Sequence, residues 1–234
     1  MFNTEPHRYL ATIWGAWFLF TMLAVFSAAV VPSILTIPSA VFVMWVTCWC
    51  VDCAYRTERF SKYASLRLFT NLGVAPGFAF LMALVATYKQ FKLGLGMSLL
   101  ISCIPLVLCT IIYSLLCVWR SPRKSLVVRS QRVEVVEPKQ ENRWALGTVG
   151  GGLGILIYPV FHAYRSPAML LVFLFIVIAL FMLFYHRTSI SSLRSLKDQE
   201  AREHQEYTFM NVEELRSRRA ASWLGRIFVT KVDR

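Results

Sequence analysis

The sequence predicts an all-α fold: a polytopic membrane helical bundle of about six transmembrane helices, with a small cytoplasmic β-containing loop and a helical C-terminal tail. Three observations predict it. Hydrophobic residues make up 56% of the 234 and charged residues 16%, against about 45–50% and about 25% in a soluble domain. The apolar residues fall in blocks of roughly 20, the length of helix that crosses a hydrocarbon core. The basic residues, finally, are confined almost entirely to one set of connections between those blocks.

The spans are drawn at Tyr9–Val31, Thr36–Tyr55, Leu68–Tyr88, Leu93–Trp119, Trp144–Tyr164 and Pro167–Tyr185. Helices satisfy their own backbone in lipid, and these continuous runs lack the alternation of barrel strands. Only four residues, Pro32 to Leu35, separate the first two, so that pair is expected as a hairpin or a partly re-entrant unit. The first apolar run exceeds the 7–15 residues of a signal-peptide core and is expected to stay. Of the 25 Lys and Arg, only Lys89, Lys92 and Arg165 fall on one side; the other 22 fall on the opposite side. The positive-inside bias therefore puts both termini in the cytoplasm, in a cell's inner (plasma) membrane. The chain divides into residues 1–119 with four spans, a cytoplasmic loop at 120–143, two spans within 144–186, and a basic tail at 187–234.

The loop segment Ser125–Glu137 is rich in β-branched residues with partial alternation, which predicts one or two short strands. A lone hairpin is marginal in water, so it is expected to pack on the tail, the membrane surface or a partner. The tail reads as helical over Ser191–Glu206, with Asp198–Arg202 and Arg202–Glu206 spaced to pair. A second helix starts near Asn211, with Glu214 placed as in a capping box. Ala220, Trp223, Leu224, Ile227 and Phe228 then recur at helical spacing, with Arg216 and Arg219 mostly elsewhere around the helix. Such a helix either lies on the anionic inner membrane surface or packs against the protein's own loop or a partner.

Two glycine patterns predict close helix packing: Gly147, Gly150, Gly151 and Gly154, spaced as a doubled GxxxG, and Gly73 with Gly77. Asp52 is the only acidic residue inside a span, with Arg56 four residues on and Asn71 in the next span as partners. An intramembrane carboxylate suggests an ion or proton site, but Asp52 lies near the interface, where an anchoring role competes. The cluster Cys48, Cys50 and Cys53 has metal-like spacing, yet Cys48 falls about 200° around the helix from Cys50, so no metal or cofactor is expected. Positive-inside topology accounts for the net charge of +12 better than nucleic acid does. Pro105 and Pro159 can kink their spans.

No motif for a nucleophile, a metal protease or a phosphate loop occurs. The function expected is non-enzymatic: an accessory, assembly or regulatory subunit acting by contact in a larger inner-membrane complex, or a protective immunity or exclusion factor. Its partners would be the bilayer with its anionic lipids, and another membrane protein or a second copy. A small oligomeric channel or transporter using Asp52 and Asn71 is the alternative, followed by a lipid-modifying enzyme.

Overall fold

The computed structural model describes residues 6–119, 126–129, 131–135 and 167–222. It is mostly helical, with a small three-stranded sheet. Five of its helices are long and apolar enough to cross a membrane. The expected fifth span, Trp144–Tyr164, with Pro159 and its four glycines, lies outside the described residues.

Helix α1 covers Pro6–Val30 and α2 covers Pro32–Val51. Only Val31 separates them, and Pro32 supplies the fixed φ suited to a first helical turn. The two helices form an antiparallel hairpin. Tyr9 reaches Cys53, Ile13 reaches Cys50, Trp17 reaches Thr47 and Phe20 meets Phe42. As one number rises the other falls, so the chain turns back at Val31.

Helix α2 runs into a π-helical turn at Asp52–Arg56. Helix α3, Phe60–Leu84, ends in a second π turn at Val85–Gln90. Helix α4 spans Leu95–Val118 and α5 spans Pro167–Tyr185. Helix α3 is the hub, packed against α1, α4 and α5. Gly73 and Gly77 face α1. A Cβ at Gly73 would meet the Phe20 ring at 3.4 Å, and one at Gly77 would meet Leu23 at 3.0 Å. The missing side chains leave room for the Phe20 ring and the Leu23 side chain against α3.

Several hydroxyls of these helices turn onto their own backbone, although the buried Thr21 hydroxyl of α1 has no partner among the described residues. Ser102, Thr110 and Ser114 donate to the carbonyls four residues earlier at 2.6–2.9 Å, as do Thr47 and Thr70. A hydroxyl bonded this way presents no unsatisfied polar group to apolar surroundings.

Strands β1 (Leu126–Arg129) and β2 (Arg132–Val135) form the expected hairpin, in register Leu126 opposite Val135 and Arg129 opposite Arg132. Gln131, in the connection, takes φ 65°. After α5, α6 runs over Arg187–Glu203, the two-residue strand β3 (Thr208–Phe209) adds to β2 in parallel, and α7 covers Val212–Ala221. The loop hairpin therefore packs on the tail, as one of the sequence alternatives proposed. Arg202 donates from Nε to the backbone carbonyl of Asp198 rather than to its carboxylate, and Glu206 pairs with Arg59 instead of Arg202. Glu206 falls out of the expected i,i+4 register because the chain leaves the helix at His204.

His204 ends α6 in the left-handed conformation at φ 51°. Glycine occupies such a position without the strain a Cβ brings. His204 is exposed, so His204→Gly is expected to stabilise the α6–β3 corner by about 1 kcal/mol. Slower amide exchange across residues 200–209 would record the gain, and faster exchange would refute it.

Candidate functional site

The charged side chains concentrate at one end of the bundle. There the start of α1, the α2–α3 connection, the end of α4, the hairpin and the tail all meet. Arg194 of α6 donates to the carbonyl of Cys117 at 2.7 Å, tying in α4. The backbone N–H of Phe60 donates to Tyr207 at 2.9 Å, and that of Thr208 donates to Gln131 at 3.0 Å. The β3 strand thus joins α3 to the loop hairpin.

Phe209 is the apolar anchor. Its ring sits 5.5 Å from those of Phe60 and Tyr63 and 5.7 Å from that of Tyr9, and Tyr9 stacks on Tyr63 at 4.9 Å. All four rings are buried. Edge-to-face and stacked pairs of this kind add about 0.5–1.5 kcal/mol each beyond their burial.

Arg219 is the polar anchor, and it is 4% exposed. The π turn directs the Thr57 N–H to Asp52 and leaves the carbonyls of Cys53 and Thr57 for other donors. Nη2 of Arg219 donates to Cys53 at 3.2 Å, to Thr57 at 2.8 Å and to the Tyr9 hydroxyl at 3.0 Å. Tyr9 in turn donates to Cys53 at 2.7 Å. The guanidinium also lies 5.5 Å from the centre of the Tyr9 ring. A cation at a helix C-terminus meets the negative end of the helix dipole and bonds carbonyls that the helix itself cannot satisfy. The Nε of Arg219 finds no acceptor among the described residues.

Ion pairs surround these anchors. Arg59 grips Glu200 through Nη2 at 2.8 Å and Nε at 3.1 Å, and reaches Glu206 at 3.3 Å. The Glu200 side chain is 1% exposed and also accepts from the Tyr207 N–H at 3.3 Å. Arg216 holds Glu58 through two 2.6 Å bonds. Arg132 pairs with Glu213 at 2.7 Å, and Arg218 with Glu214 at 3.4 Å. Hydrogen bonding from Arg216 holds the Glu58 carboxyl below the usual carboxylate range. Glu213 is lowered by backbone hydrogen bonding and by Arg132. Burial drives the His186 imidazole, at the α5–α6 joint, down to about 4.

The predicted site residues are dispersed. Asp52 lies in this region, but its carboxylate is held by Lys62 at 2.9 Å, across the connection, rather than by Arg56 as the i,i+4 spacing suggested. Asn71 instead lines a separate cavity of about 40 Å³ with Thr12, Tyr63, Arg67 and Thr70, between α1 and α3. Cys50 and Cys53 are buried toward α1, while Cys48 is exposed on α2. Of the two alternatives for the tail helix, the described part takes the packed one, and Arg219, expected on the basic face, is buried. Val212, Leu215 and Arg219 recur at i, i+3 and i+7, and all three are buried, so α7 packs on its own protein. Arg216 likewise turns to Glu58. Asn211 stands at the start of α7 without a side-chain cap bond. Trp223, Leu224, Ile227 and Phe228 lie outside the described residues. Tyr9, Arg59, Glu200 and Phe209 join the site without having been candidates from the sequence, and Arg219 joins it in a different role. Only the 212–215–219 spacing and the Tyr207–Phe209 alternation signal them.

Comparison with known protein families, with curated proteins and with solved structures finds no match to this chain.

Replacing Glu200 with Ala leaves Arg59 and the Tyr207 N–H without their buried acceptor. Losing one partner of a buried pair costs about 3 kcal/mol. Amide exchange in residues 187–222 is expected to rise about 100-fold at that energy, with α3 amides little changed; unchanged tail exchange would refute the role assigned to the pair.

Acid is expected to loosen the same joint. The lowered values of Glu58 and Glu213 contribute stability that is full above about 4.5, the ordinary carboxylate value, and is lost as pH falls through their folded values. His186 acts in the same direction, since the unfolded chain takes up its proton below 6.5 and the folded chain only near 4. Exchange measured from pH 7 down to about 3 should show the tail opening before α3; simultaneous opening would contradict this order.

Proposed function

We propose that this chain is a multi-pass protein of an inner (plasma) membrane, with both termini cytoplasmic, that works by contact as an accessory or assembly subunit of a larger membrane complex. One observation carries the reading. The connections holding 22 of the 25 basic residues by sequence include every described segment that meets at one end of the bundle. Five of the carboxylates there are directed to Arg or Lys across elements: Asp52 to Lys62, Glu58 to Arg216, Glu200 and Glu206 to Arg59, Glu213 to Arg132. Polar groups used in this way build a rigid platform. Catalysis, by contrast, needs a free acid, base or nucleophile aimed at a substrate.

Membrane insertion is supported by the five apolar helices and by hydroxyls bonded to their own carbonyls. A helix such as α4 has Leu100, Val107, Leu115 and Val118 exposed, which suits lipid or a neighbouring helix and not water. A channel would need a continuous polar lining. Ser102, Thr110 and Ser114 instead turn back on α4, and Asp52 is tied to Lys62 at the bundle's end.

Topology reporters fused after residues 130 and 222 should both report the cytoplasm. Purification in mild detergent should bring down a stoichiometric membrane partner. Phe209→Ala should reduce that co-purification while leaving membrane insertion intact. A chain that purifies alone and supports ion flux abolished by Asp52→Asn would replace this reading with the channel.

A further inference from the structure

Beside the anchors, at the same end of the bundle, a cavity of about 370 Å³ opens between α2, the start of α3 and α6. Its lining is Trp49, Arg59, Ser61, Lys62, Ser65 and Lys197. Every one of these side chains carries a hydrogen-bond donor, and no carboxylate is among them. Three are cationic.

Several of these donors are unused. Lys197 makes no ion pair or hydrogen bond among the described residues. The indole N–H of Trp49 has no acceptor there either. Lys62 gives one bond to Asp52, and Arg59 is shared among Ser61, Glu200 and Glu206, so both retain N–H groups. Ser61 is the most telling. It is 2% exposed, its oxygen accepts from Arg59 at 3.0 Å, and its own proton has no acceptor among the described residues. A buried donor without a partner costs about 1–3 kcal/mol, and an oxygen-rich anion in the cavity would remove that cost.

We propose that this cavity is a phosphoryl-binding site. A phosphate group presents several acceptor oxygens and at least one negative charge. It would join Lys197, Ser61 and the free N–H groups of Arg59 and Lys62 through charge-assisted bonds. Trp49 stands two residues before the end of α2, and indole rings favour the bilayer surface. The ligand in a membrane is therefore the phosphate of an anionic lipid headgroup. That source rests on the membrane reading above, whereas the phosphoryl chemistry does not.

The test is native mass spectrometry of the full chain released from detergent micelles doped with phosphatidic acid or phosphatidylcholine, and separately with inorganic phosphate. Flotation with neutral-lipid vesicles checks membrane insertion by itself. Wild type should keep phosphatidic acid over phosphatidylcholine by about tenfold, and Lys197→Ala and Ser61→Ala should each remove most of that margin. Lys89→Ala, an equal charge change in the α3–α4 connection, should leave it in place. Binding of inorganic phosphate that Lys197→Ala abolishes, without preference between the lipids, would keep the site and assign it a soluble phosphoryl ligand. Variants that bind as wild type does, or equal retention of both lipids with no phosphate bound, would overturn the proposal. A chain that floats yet neither prefers phosphatidic acid nor binds inorganic phosphate would sink the site alone and leave the membrane reading standing.

Discussion

The end of α2 has carbonyls that its own helix cannot satisfy, and the rest of the described structure is arranged around supplying them with donors. The π turn at Asp52–Arg56 leaves Cys53 and Thr57 pointing inward, and Arg219 arrives from more than 160 residues away in sequence to bond both. Tyr9 donates to the Cys53 carbonyl from α1 and offers its ring to the guanidinium. Once α7 is fixed there, β3 is drawn across Phe60 and the hairpin, and α6 is held over the start of α3. A buried cation is tolerated in this place because backbone carbonyls and an aromatic face replace the water it loses.

The two anchors have different energetic characters. Phe209 contributes through apolar burial and ring contacts, which act without regard to charge state. Arg219 and the Arg59–Glu200 pair contribute direction more than net energy. Their desolvation offsets much of their attraction, yet a misplaced partner leaves a charge stranded. The first type of contact holds the tail on; the second fixes which way it lies. The joint is therefore a single polar and aromatic knot rather than a set of surface salt bridges, which individually contribute little.

Helix α3 links this knot to the apolar body. Its first turns carry Phe60 and Tyr63 into the aromatic cluster, and Ser61 and Lys62 into the donor-lined cavity. Two to four turns on, Gly73 and Gly77 admit Phe20 and Leu23 of α1. The bundle and its polar end thus share one element, and a change in how α1 lies on α3 would be felt at both.

Much of the architecture was legible in the chain itself. Apolar runs of membrane length, the close spacing around Pro32, the alternation in Leu126–Val135 and the small residues Gly73 and Gly77 are local or periodic signals. They express how backbone and lipid-like surroundings constrain each residue independently of its distant neighbours. The charged residues were another matter. Asp52 takes Lys62 instead of Arg56, Glu206 takes Arg59 instead of Arg202, and Arg219 goes inside although its residue type suggests a basic surface. Sequence spacing identifies which side chains a helix brings together. Which cation reaches which carboxylate across separate helices depends on how those helices cross, and only the folded chain decides that. By itself the sequence determined the helices and the one-sided distribution of charge, because both follow from hydropathy and periodicity along the chain. The tertiary structure decided the partners of those charges, because desolvation and hydrogen-bond geometry are set by neighbours that lie far apart in the chain.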